Sequence, residues 1–551
     1  MSLASLTVGE LVAGCGDGRF DVPEFQRAFV WRPDQVRALI DSLYRGYPIG
    51  QVLTWAAPRY GAGNPGPEEG DGKHWLVDGQ QRATALCLVF GRRPRWWTDE
   101  ATWNQGQSAT NVLANVAAAG TTVEFGLSNP VRAPDPRWVP VRGILVRDPG
   151  DVESSAERQA AAILSRLPSS VRERRSEAEI TERLRSIAAI RDREIPLTEV
   201  RHGIEDVAEI FTRLNQQGTE VRESDVSLAV AAAYHPGWVR EEFLPFLRNL
   251  ADSGFELEGG VVLRVLASLG CGSPRLDDMP REFWKGPAFP KAWAETKGAL
   301  SGTVTDLVGA GVPSTALLPS RNALVPLALL RARFAASGFQ FARAFHWFLL
   351  AGRDGRYSGA STTALAEDAR SIRDAGSFAE ALSALRESLA VEPRVAAEEF
   401  VVRAQGNRSL VLLQYLALVA QGALDWTTGE PIGRHGSAPE LGFVPYWHPF
   451  FPTGASGLRA GRYDFTDDEI GALGNLVVLN ARPTTRAWRL SAPARYLQGT
   501  PVSDERLESQ LVPTDPELWT IERYRDFLQD RSRRLARAAN AYLAEQLGAP
   551  A

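Results

Sequence analysis

The chain has 551 residues, 44% of them hydrophobic, with a formal net charge of −5. That is ample apolar material for a large core in about three domains, and the mild acidity excludes a globally basic nucleic-acid binder, so any DNA contact must use a local patch. No apolar run approaches the ~18 residues of a membrane span.

The N-terminus, Met1-Ser2-Leu3-Ala4-Ser5-Leu6, lacks the basic and apolar regions of a signal peptide. From Phe20 to Trp31 the chain is extended in character and broken by Pro23. Val36, Leu39, Ile40 and Leu43 then recur at helical spacing, with Pro33 suited to the first turn and Gly46 and Pro48 as the stop. Ile49 to Trp55 reads as a strand, Pro58 to Gly72 as a Gly/Pro-rich loop, and Trp75 to Val77 as a second strand. An Asp78-Gly79 turn follows, and then a helix that closes at Gly91. Residues 152–193 are charged and free of glycine, with Pro168 the one proline, which predicts a helical insertion. Ile195-Pro196-Leu197 returns to strand character, and Ile204 to Leu214 is helical up to Gly218. Residues 236–400 read as a helical domain, with apolar helices at Asn322 to Ala336 and Ala342 to Ala351 and a turn at Arg356 to Ser361. Residues 401–551 read as a third domain. It opens on a helix from Arg408 to Ala420, passes through Gly/Pro-rich loops including Asp425 to Gly429, and ends on an arginine-studded helix. That basic run is either a solvated face or a phosphate-binding patch.

Cys15, Cys87 and Cys271 are scattered, without a Cys-x-x-Cys, so neither a zinc knuckle nor a disulfide framework is expected and a cytoplasmic setting fits. Only four of the 61 basic residues are lysines. Arginine forks suit phosphate and carboxylate recognition, although the abundance of alanine and glycine points equally to a GC-rich genome.

The chemistry concentrates at His74 to Leu86. A strand, a polar turn and a helix start gather backbone N–H groups and a helix dipole against an anion. Arg82 supplies a forked cation, Gln80 and Gln81 neutral donors and acceptors, and Asp78 a carboxylate for a metal, a water or a sugar hydroxyl. The set suits a nucleotide; the plainer alternative is an ordinary Asp-Gly turn with a solvated arginine. His74 beside it reads as structural, and no Gly-x-x-x-x-Gly-Lys-[Ser/Thr] exists in the chain, so a P-loop is excluded. Phe25, Phe29 and Trp31 flank Gln26-Arg27 either as core residues or as a pocket for a modified phosphate or base.

Three blocks carry a family resemblance. The first is Pro-x-Phe-Gln-Arg-x-Phe-Val-Trp ending at Trp31, continued by Leu-Ile-Asp-Ser-Leu-Tyr-Arg-Gly-Tyr-Pro-Ile-Gly ending at Gly50. The second is Val-Asp-Gly-Gln-Gln-Arg ending at Arg82, and the third is Ile-Phe-Thr-Arg-Leu-Asn-Gln-Gln-Gly ending at Gly218, followed by Glu223-Ser224-Asp225. Together they resemble the N-terminal domain of GmrSD-type, modification-dependent restriction proteins, strongly over about residues 1–240 and weakly beyond, and are similar to phosphorothioate-sensing antiphage proteins. The resemblance implies a ParB/sulfiredoxin-like α/β domain that binds and hydrolyses a nucleoside triphosphate, GTP being one candidate, with a divalent metal such as Mg²⁺, coupled to sensing of DNA. On that reading Arg82 and Arg27 contact phosphates, and Gln26 and Gln81 orient phosphate or the attacking water. Asp78 holds water, metal or ribose, Gly79 and Gln80 help to bind the nucleotide, and Arg213 and Asn215 close the site.

Proteins of this type end in a His-Me-finger (HNH-like) nuclease domain. This chain has His448-Pro449-Phe450-Phe451-Pro452, then Asn475-Leu476, Asn480, Thr485 and Pro493-x-x-Tyr496-Leu497 in a recognisable frame. The general base of such a site lies three residues before the proline, where Pro449 stands, and Thr485 occupies the position of the last asparagine, with Asn480 the nearest substitute. Two readings compete: a non-cleaving remnant, and a nuclease site shifted by one residue with His448 as base.

The expected architecture is α+β and mainly helical. It comprises a ParB-like domain over 1–235 with its insertion at 152–193, a helical domain over 236–400, and a His-Me-finger-like domain over 401–551. The expected function is antiphage restriction through a nucleotide-hydrolysing DNA sensor. The alternatives are a nucleotide-gated sensor without turnover and a DNA nickase. DNA, modified or plain, is the expected partner and a membrane is not; oligomeric state is left open.

Overall fold

The computed structural model describes residues 2–22, 29–55, 74–120, 122–146, 152–200, 223–235, 237–358, 361–436, 438–454, 457–459, 463–483, 491–499 and 502–548. The fold is mixed α+β and mainly helical. The chain divides into two compact units, Met1–Val239 and Arg240–Ala551, so residues 236–400 and 401–551 fall almost wholly within the second.

The first unit is built on a five-stranded mixed sheet in the order Ser2–Thr7, Glu194–Val200, Val52–Trp55, His74–Asp78, Phe20–Asp21. Ser2–Thr7 runs antiparallel to Glu194–Val200, which runs parallel to Val52–Trp55. His74–Asp78 is antiparallel to Val52–Trp55, with a register shift between Leu53 and Thr54, and parallel to Phe20–Asp21. Helix Pro33–Arg45 buries Val36, Leu39, Ile40 and Leu43, the stripe read from their spacing, and ends on Gly46 in the left-handed region. Helix Gln80–Phe90 is different: every residue from Ala83 to Phe90 is buried. A helix apolar all round belongs at the centre of a unit, and its first turn is where its polar residues lie. The insertion is helical as expected, with Val152–Arg166 and Glu177–Ala188 as its main helices. A second sheet of three short strands, Glu124–Leu127, Val112–Asn115 and Trp138–Pro140, precedes it and was not foreseen. Phe29 and Trp31 pack against the core of this unit, in line with the core alternative for them, whereas Phe25 lies outside the described residues.

The second unit is a stack of helices joined to a small irregular region. Strand Tyr446–Pro449 pairs antiparallel with Leu476–Leu479, with His448 opposite Val477. Around this ribbon lies a core of Trp426, Phe450, Phe451, Tyr524 and Phe527, in which the rings of Phe450 and Phe527 stack at 4.8 Å. The terminal helix, Tyr524–Glu545, covers it. Among the described residues no helix is long and apolar enough to cross a membrane.

Candidate functional site

Strand His74–Asp78 delivers Asp78 to the edge of the core, because Leu76 and Val77 are buried beneath it. Gly79 then turns the chain with φ of 94° and serves as the N-cap of helix Gln80–Phe90, which has no side-chain cap. A left-handed backbone at that point favours glycine, and a Cβ there would also come within 3.2 Å of Val52 Cγ2. The turn therefore aims Asp78, Gln80, Gln81 and Arg82 into one short arc at a helix start.

Within that arc the aspartate and the arginine are tied together. Arg82 Nη2 donates to Asp78 Oδ2 at 3.1 Å, and Arg82 Nη1 donates to the Ile49 carbonyl at 2.8 Å. Asp78 Oδ1 accepts from the Gly79 N–H at 2.7 Å. The Arg82 side chain keeps 17% of its surface and Asp78 39%, so the pair sits at a half-buried mouth rather than in the core or in free solvent. Gly50, at φ of 86°, makes room for the guanidinium: a Cβ there would lie 2.6 Å from Arg82 Nη1. Gln81 Oε1 accepts from the Val30 N–H at 2.9 Å, which fastens the helix start to the strip following Gln26-Arg27. His74 Nδ1 lies 3.5 Å from Glu199 Oε2 on the neighbouring part of the sheet.

Asp78, Gly79, Gln80, Gln81 and Arg82 are thus brought together. Gln26, Arg27, Arg213 and Asn215, expected to complete the site, lie outside the described residues. The Ile49 carbonyl and Gly50 were not singled out as site residues, although Pro48-Ile49-Gly50 closes the first family block. Among the described residues no cluster of three or more His, Cys, Asp and Glu side chains is arranged to hold a metal ion. Asp78 is a single carboxylate with both oxygens already accepting one bond each and lone pairs left over. It fits Mg²⁺ carried in on phosphates, since that ion is commonly held by one or two carboxylates, waters and phosphate oxygens.

The C-terminal motif uses its polar groups otherwise. His448 is 1% exposed and its ring stacks on Tyr446. Asn475 is fully buried, and its amide is engaged at both ends by one residue: Oδ1 accepts from Phe451 N at 2.8 Å, and Nδ2 donates to Phe451 O at 3.0 Å. Asn480 Oδ1 accepts from Gly433 N at 3.0 Å, and its Nδ2 donates to Pro431 O at 3.3 Å. Tyr496 donates to the Phe450 carbonyl at 2.9 Å, and Thr485 lies outside the described residues.

A two-stranded ribbon leaves backbone groups on its outer edges, and buried groups of that kind must be paired. Side chains that the sequence reading did not single out do this. Gln510 accepts from Val478 N at 2.8 Å and donates to Val478 O at 2.5 Å, as a third strand would. Arg531, fully buried, donates to the carbonyls of Gly474, Leu476 and Gln510, and burial pushes its guanidinium down to about 9. Buried Asp425 accepts from the N–H groups of Thr427, Thr428 and Asn480. The arginines of the last helix are mostly committed as well: Arg523 pairs with Asp526, Arg525 with Glu469, and Arg533 and Arg534 with Asp530.

The first unit is therefore a mixed α+β domain with a strand–glycine–helix junction that presents an arginine–aspartate pair and two glutamines. Residues 8–231 match the family described as GmrSD restriction endonuclease, N-terminal domain, so this part of the chain is similar to that domain. No curated protein matches the chain.

Proposed function

We propose that the protein is a restriction factor of antiphage defence whose first unit binds a nucleoside triphosphate at the Asp78–Arg82 junction and hydrolyses it in response to DNA. The observation that carries this reading is the anchoring of Arg82. Two bonds, to Asp78 and to the Ile49 carbonyl, hold one guanidinium half-buried beside a helix start. We read this as an anion site set in place before a phosphate arrives, because phosphoryl transfer depends mostly on positioning and on neutralising charge. A water oxygen would attack the γ-phosphorus, the bond from γ-phosphorus to the bridging oxygen would break with its electron pair leaving on the nucleoside diphosphate, and the water's proton would pass to solvent. Arg82, with Arg27, would take up charge on the phosphate oxygens, and Gln81 and Gln26 would orient the water. Asp78 would hold the water, the ribose or Mg²⁺, and the ion would supply further charge neutralisation on the phosphates. Gly79 and Gln80 would line the turn, while Arg213 and Asn215 would close it. Each ligand must favour a different arrangement of the chain for nucleotide and DNA, phosphorothioate-bearing or otherwise modified, to be coupled.

One observation favours a second reading, a nucleotide-gated sensor with negligible turnover. Both oxygens of Asp78 already accept hydrogen bonds, which weakens it as a base. Phosphate release from purified protein with GTP, ATP, CTP or UTP and Mg²⁺, with and without DNA, separates the two. Turnover that falls about 100-fold in Arg82→Ala supports the enzyme. Nucleotide binding without release supports the sensor, and neither binding nor release contradicts both.

For the C-terminal motif we favour the non-cleaving reading. His448 at 1% exposure is shut off from a phosphodiester, and the Asn475 amide is fully buried with both of its polar atoms bonded to Phe451. Supercoiled plasmid with Mg²⁺ or Mn²⁺ should stay intact with wild type and His448→Ala alike; nicking lost in His448→Ala would restore the nickase.

A further inference from the structure

The second unit contains a cavity of about 720 Å³ that the nucleotide reading does not use. Its walls come from residues 251–264, 314–322, Arg408 and 442–444, all within that unit. A volume of this size falls in the roughly 300–1,000 Å³ range of small-molecule sites.

Its charges are uneven. Arg264, Arg321 and Arg408 line it against two carboxylates, Glu256 and Glu258. Arg321 lies 3.6 Å from Glu258 with both side chains about half exposed, an ion pair of little strength. Arg408 is exposed and reaches the Ala316 carbonyl at 3.3 Å, so its charge meets no carboxylate in that bond. Arg264 stands one turn beyond Gly260 on helix Gly259–Cys271, on the same face, and both contribute to the wall. That helix and Arg408–Ala420 both begin at the cavity, and neither has a side-chain cap, so first-turn N–H groups and two dipole ends add to the positive field. The wall is also braced. Ser314 donates to the buried Phe443 carbonyl at 2.6 Å, and Asn322 donates to Ser361 Oγ at 2.8 Å. Just before Ser361, Arg356 forks onto the buried Asp368.

Guanidinium groups and helix starts call for an anion. Carboxylates accept hydrogen bonds and cannot donate them, so Glu256 and Glu258 call for a ligand that carries donors. Both are exposed, and at the cavity wall they would repel a continuous phosphate backbone. We infer that this cavity binds a small phosphorylated molecule bearing hydroxyl or amino groups, of the size and chemistry of a nucleoside monophosphate. The site is independent of the Asp78–Arg82 junction and stands whether or not that junction turns over nucleotide.

Calorimetric titration of the full chain tests this in an Arg82→Ala background, which removes the guanidinium of the Asp78–Arg82 junction. The probes are 5′-AMP, 5′-GMP, ribose 5-phosphate and a 12-nucleotide single strand. One equivalent of a mononucleotide or of ribose 5-phosphate should bind. Arg408→Gln, at an exposed position that leaves folding intact, and Arg264→Gln should each weaken it about tenfold or more, and Arg408→Lys should restore part of the loss. Thermal melts identify any variant that has lost its fold, and Arg408→Gln then decides alone. Unchanged affinity in Arg408→Gln overturns the inference. So does failure of all three small probes to bind, or capture of the single strand alone.

Discussion

The junction at Asp78–Arg82 and the ribbon at His448–Asn475 each place motif residues at a strand end, and their polar groups have opposite fates. At the first junction a glycine turn lifts four polar side chains out of the core. The arginine is held from behind by a carbonyl and a carboxylate, with part of its surface still open. At the ribbon the side chains are sealed, and each amide is consumed by backbone that would otherwise be unpaired. Residue type alone does not distinguish a site from a clamp. What distinguishes them is whether hydrogen-bonding capacity remains at a surface that a ligand can reach.

Breaking the clamp should give the largest effect on stability. Asn475→Ala strands the N–H and carbonyl of Phe451 in the core, and we expect a loss of about 3 kcal/mol in urea unfolding. A loss below about 1 kcal/mol would mean that the amide is dispensable and that a role in chemistry should be reopened.

Burial holds His346, in the second unit, down to about 4 from its ordinary value of 6.5. Between those values the unfolded chain binds a proton that the folded chain refuses, so stability falls as pH drops from about 6.5 to about 4. The expected loss is about 3 kcal/mol, and His346→Gln should flatten that window.

At the first junction, Gly50→Ala introduces a Cβ in a left-handed backbone and against Arg82 Nη1. The backbone alone costs about 1 kcal/mol, and displacement of the guanidinium should lower nucleotide turnover as well. Gly338→Ala, at φ of 98° with nothing within 4 Å of the added carbon, is the control that should show the backbone cost without the functional loss.

The smallest effect belongs to the surface. The Arg525 guanidinium bonded to Glu469 lowers that carboxyl to about 2. Its stabilisation is complete above the unfolded value near 4.5 and is lost as pH falls towards 2. Arg525 is 59% exposed, so screening leaves about 1 kcal/mol or less, which Arg525→Ala should remove.

Several parts of this arrangement could be read from the chain. The Val36, Leu39, Ile40, Leu43 stripe and the glycine-free run before Glu194 announced their helices, because helical burial has a local period. The Asp-Gly turn announced the junction, because few residues can occupy its backbone. Ser2–Thr7 escaped notice: it is polar and short, and its strand character comes from pairing with Glu194–Val200 almost two hundred residues away. The three strands around Val112–Asn115 are of four residues or fewer, too brief for alternation to register. Arg531 looked like one more arginine of a basic run. Only the three-dimensional pairing shows that it donates to three buried carbonyls, and no sequence period encodes that.

The most direct measurement is equilibrium binding of a nucleoside triphosphate with Mg²⁺ to wild type, Arg82→Lys and Arg82→Ala, with folding verified by thermal melting. Arg82 as a phosphate ligand requires affinity to fall about tenfold or more in Arg82→Ala, with Arg82→Lys in between because it keeps the charge and loses the fork. Equal affinity in all three folded proteins would contradict the assignment of this junction.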